Sequence, residues 1–454
     1  MVANRGEIAV RIIRSARELG IRTVAVCSEA DVESLHVRLA DAHVVIGPAP
    51  ATRSYLNLDA VLAAAAEAGA DAVHPGYGFL SERADFAERV GSAGMTFVGP
   101  SPEAIRLMGD KALARSTAAR AGVPTVPGSD GAVATVQEAL EVAERIGYPV
   151  AVKAAAGGGG RGIRIVGSPD ELRQGLPMAQ AEAAAAFGSG EVYVERFVER
   201  ARHVEIQVFG DGERFVHLGE RDCSLQRRRQ KVVEEATAPH LPQRVRDEMG
   251  AAAVRLAAEV GYSGAGTVEF LYDVPREDFS FIEMNTRIQV EHPVTEMVVG
   301  RDLVREQLTV AAGEPLSFSQ QEVEHRGHAM EFRINAENPD LGFLPSPGTL
   351  DHVRMPGGPF VRVDSGFEGG GQVSPYYDSL IAKVIVWGDT RHTALARARR
   401  ALDEVEVEGV STTAGFLRRI VDIPEFVDAT YHTTFLEGWM AGRSEESDQA
   451  RRTA

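Results

Sequence analysis

The sequence predicts an α/β chain, in full an α+β arrangement of several domains, and three observations support this class. The chain has 454 residues, which is too long for one ordinary core and predicts about two to four domains. Strand-like and helical segments alternate over roughly the first hundred residues, a pattern typical of a parallel sheet covered by helices. Later segments contain further strands, including a predicted hairpin, with helices between them.

The first unit begins with a helix and continues with four strand-like segments. Apolar residues at Ile8, Ile12, Ala16 and Leu19 make a helical stripe that Gly20 ends. The strands are predicted in RTVAVCS, HVVIG, DAVHPG and FVGP, and an Ala-rich helix in SYLNLDAVLAAAAEAG. The first turn, ANRGEIA, has a single glycine, so it lacks the fingerprint of a dinucleotide site.

The second and third units follow from residue 108. Helices are predicted in GDKALARSTAARAGV and RVRDEMGAAAVRLAAEVG, strands in EVYVERFV, HVEIQVFG and ERFVHLGERDCS, and a hairpin in GTVEFLYDVPREDFSFIEMN. Beyond residue 325, strands are predicted in HAMEFRINA and SLIAKVIVWG, and a helix over 390–408. The tail, GRSEESDQARRTA, is polar and is predicted to be disordered.

Composition argues against several classes of partner and compartment. The net charge is −17, whereas nucleic acids and anionic membranes are bound through excess lysine and arginine, so neither partner is expected. Cys27 and Cys223 lie far apart and indicate no disulfide framework, which fits a reducing cytoplasm. The N-terminus is too charged for a secretory signal, and no apolar run is long enough to cross a bilayer.

A glycine run lies between two predicted strands in AVKAAAGGGGRGIRIV. Glycine lets backbone amides approach a ligand closely, and Lys153 and Arg161 add positive charge at the two ends. The segment is consistent with a lid over nucleotide phosphates or with a plain flexible surface loop. Residues 157, 159 and 162 satisfy G-x-G-x-x-G, but a strand follows and kinase motifs are absent, so a dinucleotide site and a protein kinase are excluded.

Acidic residues lie on both arms of the predicted hairpin, at Glu269 and Glu283. Two carboxylates on adjacent strands can share Mg²⁺, although a solvated hairpin face is the alternative. In EMNTRIQVE, polar residues alternate with apolar ones, so an extended chain would place them on one face. These residues suit a metal and a small oxyanion: Glu283, Asn285, Arg287, Gln289 and Glu291.

Positive charge is concentrated in RDCSLQRRRQK, which contains Arg221, Arg227, Arg228, Arg229 and Lys231. A solvated patch, a nucleic-acid patch and a site for an anion such as a nucleotide are all consistent with this segment. The acidity of the whole chain argues against nucleic acid.

The chain resembles the biotin carboxylases, the ATP-grasp subunit or domain of acetyl-CoA and related acyl-CoA carboxylases. The resemblance runs from the first residue to about residue 437 and is carried by ANRGEIAVRIIR, HPGYGFLSE, RLMGDK, GGGGRG, RHVEIQV, RDCSLQRRRQK, FIEMNTRIQVEHPVTE, RINAE, FLPSPG and PYYDSLIAK. It implies an ATP-grasp fold with an N-terminal Rossmann-like domain over 1–107. The ATP-grasp domain would cover 108–324, with a mobile lid over about 125–196. A C-terminal biotin carboxylase domain would cover 325–440, before the tail at 441–454.

The resemblance also implies a role for each residue that matches a family motif. ATP would be held by Lys111, Lys153, Gly157, Gly158, Gly159, Gly160, Glu195, Arg196, Val198, His203, Gln226, Arg229, Glu269 and Glu283. Mg²⁺ or Mn²⁺ would be bound by Glu269, Glu283 and Asn285. Bicarbonate would be held by Arg287, Gln289 and the Val290 backbone. The catalytic residues would be Glu291 as general base, Arg333 for the biotin enolate, Arg287 and Lys231, and Tyr77 would pack on the biotin.

The implied reaction is ATP- and bicarbonate-dependent carboxylation of biotin through carboxyphosphate, the first half-reaction of an acyl-CoA carboxylase in fatty acid biosynthesis. No MKM biotinylation site and no carboxyltransferase half are present, so a biotinylated carrier protein and a carboxyltransferase are expected as separate partners. The acyl-CoA is not specified by this sequence. A homodimer is also implied.

Several positions depart from the usual family pattern. A full strand usually precedes ANRGE, so we expect either a misassigned start or a truncated first strand. Ala156 stands where many members have another glycine, Arg229 where many have histidine, and Arg196 where lysine is common. Two alternatives stay open at this point: an ATP-grasp ligase with a non-biotin acceptor, such as urea, and a catalytically weak ATP-binding scaffold subunit.

Overall fold

The first unit forms a short parallel sheet flanked by helices, as the alternation predicts. The structure, a computed structural model, describes residues 1–154, 163–187 and 189–442. The elements of this unit are α1 (Gly6–Glu18), β1 (Val24–Cys27), α2 (Leu35–Leu39), β2 (Ala42–Val45), α3 (Leu58–Glu67), β3 (Ala72–Val73), α4 (Ala84–Ser92), β4 (Thr96–Phe97) and α5 (Pro102–Gly109). Strands β1 and β2 pair in parallel, as do β3 and β4. Between the two pairs, Val2 makes single parallel bridges to Ala25 and His74 rather than a full ladder.

The next unit is a small antiparallel sheet with two helices packed on it. Its elements follow α6 (Lys111–Arg120) and are α7 (Val136–Ile146), β5 (Val150–Ala154), β6 (Ile163–Val166), α8 (Pro169–Phe187) and β7 (Val192–Arg196). The strand order is β6-β5-β7, and apolar residues of α7 and α8 form one core with the strands. The glycines of the predicted lid, Gly157, Gly158, Gly159 and Gly160, lie outside the described residues. The mobility of 125–196 stays a prediction.

A large antiparallel sheet occupies the centre of the molecule. Its first strands and the adjoining helices are β8 (Ala201–Asp211), β9 (Phe215–Arg227), β10 (Gln230–Ala236), α9 (Gln243–Glu259), β11 (Ser263–Asp273), β12 (Asp278–Asn285), α10 (His292–Val299) and α11 (Leu303–Ala311). Helix α9 packs Val245, Met249 and Leu256 against apolar side chains of β8 and β11. This spacing of four and seven residues places the three side chains on one helical face.

The sheet continues into the last part of the chain. The remaining elements are β13 (His328–Asn335), β14 (Glu337–Asn338), β15 (Leu344–Pro345), β16 (Gly348–Thr349), β17 (His352–Arg354), β18 (Val361–Ser365), β19 (Gln372–Val373), β20 (Leu380–Gly388), α12 (Arg391–Asp403), β21 (Glu406–Glu408), α13 (Ala414–Ile420) and α14 (Pro424–Val427). Short 3₁₀ helices cover Glu29–Asp31, Ala51–Arg53, Gln320–Glu322 and Pro339–Leu341. The order across the sheet is β12-β11-β8-β9-β10-β13-β20-β18.

The pairing of β10 with β13 carries the sheet across the boundary that the sequence places between 324 and 325. Leu225 and Val233 from one side share a core with Phe332 and Val384 from the other. The domain limits at 1–107, 108–324 and 325–440 stay predictions, but the second and third units share one sheet.

Three local predictions differ from the structure. The helix expected over 390–408 ends at Asp403, and Glu406–Glu408 instead forms β21 against β17. Residues 441–442 continue a helix, while the rest of the predicted tail, 443–454, lies outside the described residues. The extended run expected through EMNTRIQVE stops at Asn285, because the Thr286 amide donates to Glu82 instead of to a neighbouring strand. Within the described ranges, no helix has both the length and the apolar character needed to span a bilayer.

Candidate active site

A cavity of about 760 Å³ lies where the central sheet faces the first unit and the last part of the chain. Backbone and side chains from ANRGE, the 77–79 turn, β10, β12 and β13 reach it. The cavity brings together most of the predicted site residues: Tyr77, His203, Arg229, Lys231, Glu269, Glu283, Asn285, Arg287, Gln289, Val290, Glu291 and Arg333. Sequence positions more than 250 residues apart thus meet in one concave space.

Lys231 is the centre of a buried charge cluster. Its Nζ donates to Glu291 Oε1 at 2.5 Å, to Glu205 Oε2 at 2.6 Å and to Glu269 Oε1 at 3.2 Å. Burial opposes the charged form of Lys231, but the surrounding carboxylates raise its pKa well above the ordinary value. The ammonium therefore stays protonated and can balance a negatively charged ligand.

Arg333 connects two carboxylates at the edge of this cluster. Its Nη2 donates to Glu291 Oε2 at 3.0 Å, and its Nε donates to Glu234 Oε1 at 2.6 Å. Burial tends to raise the pKa of Glu291, but Lys231 and then Arg333 outweigh it and lower that pKa to about 2. Glu291 is consequently ionised at neutral pH and able to accept a proton.

Glu269 and Glu283 face each other across β11 and β12, in direct register. The Asn285 amide lies beside them, since Nδ2 donates to Glu269 Oε1 at 2.8 Å. The pKa of Glu269 is lowered despite burial, because Lys231 and His203 stabilise the carboxylate. Two carboxylates and an amide oxygen are hard oxygen donors, so this part of the cavity fits Mg²⁺ or Mn²⁺.

His203 links the hairpin to β9. Its Nε2 lies 3.0 Å from Glu269 Oε2, and its Nδ1 lies 2.8 Å from Gln226 Nε2. Burial would lower the pKa of His203, but Glu269 and Glu205 together raise it to about 9. Gln226 is therefore behind His203 rather than on the cavity wall. Arg229 lines the cavity from the turn between β9 and β10.

Arg287 and Gln289 are each held by residues outside the segment EMNTRIQVE. Arg287 Nε donates to Glu82 Oε2 at 2.9 Å, which ties the guanidinium to the first unit. Gln289 Oε1 accepts from Arg221 Nη2 at 2.7 Å, while its Nε2 donates to Glu269 at 3.0 Å. Val290 also lines the cavity, and its carbonyl accepts from Lys383 Nζ at 2.8 Å.

Arg221, one of the five residues of the cationic segment, belongs neither to a solvated patch nor to the cavity wall. It is fully buried on β9, where it donates to Glu205, Gln207, Thr267, Gln289 and Thr295. Its positive charge is therefore paired with buried protein groups rather than with a ligand. The sequence did contain a signal of this burial, because a charged residue in a strand pattern that is otherwise apolar indicates a buried, paired charge. Glu205 in HVEIQVF carries the same signal.

The predicted ATP contacts on the small sheet lie in a second group. Lys153 Nζ donates to Glu195 Oε2 at 2.5 Å, and Arg115 Nη1 donates to Glu195 Oε1 at 2.7 Å. The Arg196 amide donates to the Pro127 carbonyl at 2.9 Å, and Val198 follows it half-buried. Arg115 is a residue that the motifs did not identify.

Two further predicted residues are Lys111, which acts on Glu283, and Tyr77, which lines the cavity. Lys111 is the first residue of α6. Desolvation and then Glu269 raise the pKa of Glu283, and the Lys111 ammonium opposes that rise. The Tyr77 hydroxyl donates to Glu7, whose other oxygen lies 3.1 Å from Lys383 Nζ. Tyr77 and the Val290 carbonyl are therefore joined through Glu7 and Lys383.

The fold and this site define an ATP-grasp enzyme: a small antiparallel sheet accompanies a large antiparallel sheet that carries acidic and basic side chains into one cavity. Three family models match the chain: "Biotin carboxylase, N-terminal domain" over 1–105, "Carbamoyl-phosphate synthase L chain, ATP binding domain" over 110–319, and "Biotin carboxylase C-terminal domain" over 331–438. The chain belongs to the biotin carboxylase family. It is an ATP-dependent carboxylase, a ligase, and the resemblance seen in the sequence is confirmed.

Curated relatives and solved structures agree with this assignment. Biotin carboxylase 1 of Bacillus subtilis is 55% identical over 438 residues, covering 96% of this chain and 97% of the relative. Biotin carboxylase of Haemophilus influenzae is 54% identical over 439 residues, with the same coverage. The crystal structure of the biotin carboxylase complex from Campylobacter jejuni matches with a TM-score of 0.87 and 46% identity, covering 96% of this chain and 97% of that chain.

Proposed function

We propose that this chain carboxylates biotin carried on a separate carrier protein, with bicarbonate and MgATP, through carboxyphosphate. The observation that carries the proposal is the contact of Lys231 and Arg333 with opposite oxygens of Glu291, beside the Glu269–Glu283 pair. A base, two cations and a set of metal ligands thus meet in one cavity. This combination suits a reaction that deprotonates an oxyanion and phosphorylates it.

In the proposed mechanism, Glu291 accepts the proton of bicarbonate, which Arg287, Gln289 and the Val290 backbone hold. The bicarbonate oxygen then attacks the γ-phosphorus of ATP, the bond to the β-phosphate oxygen breaks, and ADP leaves. A divalent metal held by Glu269, Glu283 and Asn285 would offset charge on the phosphates.

Carboxyphosphate then breaks into carbon dioxide and phosphate within the cavity. The phosphate takes the proton of the biotin ureido nitrogen, and that nitrogen then forms a bond to the carbon of carbon dioxide. Arg333 steadies the enolate form of the ureido group, and Tyr77 packs against the biotin rings. Exclusion of water is needed, because carboxyphosphate would otherwise hydrolyse.

The partners are proposals that rest on the family. A carrier protein would bring the biotin and a carboxyltransferase would use the product, as in an acyl-CoA carboxylase. A homodimer is proposed because a solved relative, from Hydrogenobacter thermophilus, is described as a biotin carboxylase domain dimer and matches with a TM-score of 0.86 and 48% identity. Light scattering would show about twice the 48.8 kDa chain mass for a dimer. The cytoplasm remains the location that we expect.

ATP hydrolysis with magnesium and bicarbonate, measured with and without free biotin, tests the function. Bicarbonate-dependent hydrolysis stimulated by biotin is expected. Hydrolysis indifferent to both free biotin and a biotinylated carrier would indicate another acceptor. No hydrolysis in the presence of bound ATP would favour a scaffold subunit.

A further inference from the structure

Two buried carboxyls act on Arg333 without lining the cavity. Glu234 on β10 and Glu331 on β13 are direct register partners, so their side chains leave the same face of the sheet. Each residue has 0% of its surface exposed. Neither was singled out by the sequence motifs, and Glu331 does not line the cavity.

Their hydrogen bonds are incomplete. Glu234 Oε1 accepts from Arg333 Nε at 2.6 Å, but Glu234 Oε2 and both oxygens of Glu331 have no hydrogen-bond partner in the described part of the chain. An unpartnered, ionised carboxylate is costly to bury, and a second one facing it would be costlier. Two facing buried carboxyls with three unpartnered oxygens therefore favour a proton on this pair.

The charged and titratable neighbours do not supply enough positive charge to remove that preference. The groups that act on the pair are Cys223 on β9, Lys231 on β10, Arg333 on β13, Lys383 on β20, and Glu291 just before α10. Lys231 already forms ion pairs with Glu205, Glu269 and Glu291. Lys383 is committed to Glu7 and the Val290 carbonyl.

We propose that Glu234 and Glu331 form a buried acid pair that holds one proton at neutral pH and thereby keeps Arg333 available to Glu291 and to the reacting biotin. The pair is a positioning element, since neither carboxyl is placed to touch substrate. Burial, opposed by Arg333, raises the pKa of Glu234 to about 7, and burial raises that of Glu331 well above its ordinary value. The directions of both shifts agree with the unpartnered oxygens.

A consequence for catalysis follows from the position of Arg333 between two carboxylates. With one proton on the pair, Arg333 bridges Glu234 and Glu291. Loss of that proton adds a negative charge on the Glu234 side, which draws the guanidinium away from Glu291 and the biotin. Biotin carboxylation should therefore fall on the alkaline side as the pair ionises.

Infrared spectroscopy of the protein without substrates tests the proton directly. The wild type should show a carbonyl stretching band of a protonated carboxyl at pH 7 that disappears as pH rises, and Glu331→Gln should lack it. Glu220→Gln is the matched control, because Glu220 is also buried but pairs with Arg246 at 2.7 Å and lies outside the proposed site. The control should keep the band.

The pH profile of kcat/KM for biotin tests the coupling to Arg333, and this arm rests on the proposed function. Glutamine imitates a protonated carboxyl, so Glu331→Gln should keep activity within about twofold of wild type at pH 7. Its alkaline decline should move up by at least about one pH unit, while Glu220→Gln follows wild type.

Two results would overturn the proposal. If Glu331→Gln removes no protonated-carboxyl band, and the wild-type band does not titrate, the pair holds no proton. If the band is lost but the alkaline decline is unchanged, the pair does not act on Arg333. Absence of biotin carboxylation in the wild type would instead refute the proposed function, and the infrared result would still decide whether the proton is there.

Discussion

At the scale of single residues, the site depends on cations that hold Glu291 ionised and in place. Glu291 is buried, and its two oxygens accept from Lys231 and Arg333. Its neighbours in the sequence could be identified from motifs. The partners of Glu205, Arg221 and Glu234 could not, because each side chain pairs with a residue of another strand that it meets only after folding.

Replacing either catalytic group should impair turnover without unfolding the protein. We expect Glu291→Gln or Arg333→Ala to lower the rate of biotin carboxylation by at least about tenfold, because each removes a group needed in the transition state. Initial rates and thermal unfolding curves measure both parts of the prediction. Glu324→Gln and Arg326→Ala, on an exposed ion pair, are the matched controls. Near-normal rates in both site variants would refute the assignment.

Glu331 should also make folding stability depend on pH. Its pKa is raised in the folded state, mainly by burial, so its contribution to stability is complete below the unfolded pKa of about 4.3 and is lost as pH rises through the folded pKa. Glu331→Gln lacks this loss. In urea titrations, the free energy of unfolding of the variant, relative to wild type, should therefore increase as pH rises above the unfolded pKa of about 4.3. A difference that is constant with pH would contradict this prediction.

At the scale of elements, the hairpin of β11 and β12 was predicted with its facing carboxylates, because alternation and a polar turn specify a hairpin locally. The polar residues after Asn285 were predicted to share one face with Glu283 because the chain was expected to stay extended, and that reason is wrong. The chain leaves the extended conformation after Asn285, yet the turn before α10 still directs Arg287, Gln289 and Glu291 into the cavity. That turn depends on Glu82, more than 200 residues away, which no local pattern reveals.

Removing one arm of the carboxylate pair should weaken metal binding. We expect Glu283→Gln to raise the Mg²⁺ concentration needed for half-maximal ATP hydrolysis by about tenfold, because the ion loses a charged ligand. Glu277→Gln is the control on the same hairpin, since Glu277 lies at the turn and pairs with Arg244. Equal magnesium requirements in the two variants would exclude Glu283 as a ligand.

The small sheet should supply a phosphate contact through Lys153. Lys153 is paired with Glu195, so we expect the ammonium to exchange this partner for ATP. Lys153→Ala should raise the KM for ATP by about tenfold, or about 1.4 kcal/mol of binding free energy. Arg164→Ala, an outer residue of β6 paired with Glu182, is the control. An unchanged KM in Lys153→Ala would mean that the lysine is structural.

At the scale of the whole molecule, the α/β class and the family were predictable from the sequence, but the single sheet that joins the second and third units was not. Strands β10 and β13 are separated by about ninety residues, and their pairing depends on side chains that meet only after folding. Val233 and Phe332 are register partners within that shared core.

Dividing the chain between residues 324 and 325 should therefore prevent stable folding of the first fragment. We expect a fragment of residues 1–324 to lack a cooperative thermal transition, because β10 would expose an unpaired edge and half of a core. Expressed together, fragments 1–324 and 325–454 should copurify and recover ATP binding. A monomeric fragment 1–324 with a sharp unfolding transition would show that the shared sheet is dispensable.

The pairing of β10 with β13 also determines how long part of the sheet stays exposed during synthesis. A chain that leaves the ribosome at about 5–20 residues per second exposes the edge of β10 for roughly 5–20 seconds before β13 has been made. During that interval Leu225 and Val233 have none of their later core partners from β13 and β20. The nascent protein should accordingly be most dependent on chaperones between the emergence of β10 and that of β20, whatever the stability of the finished enzyme.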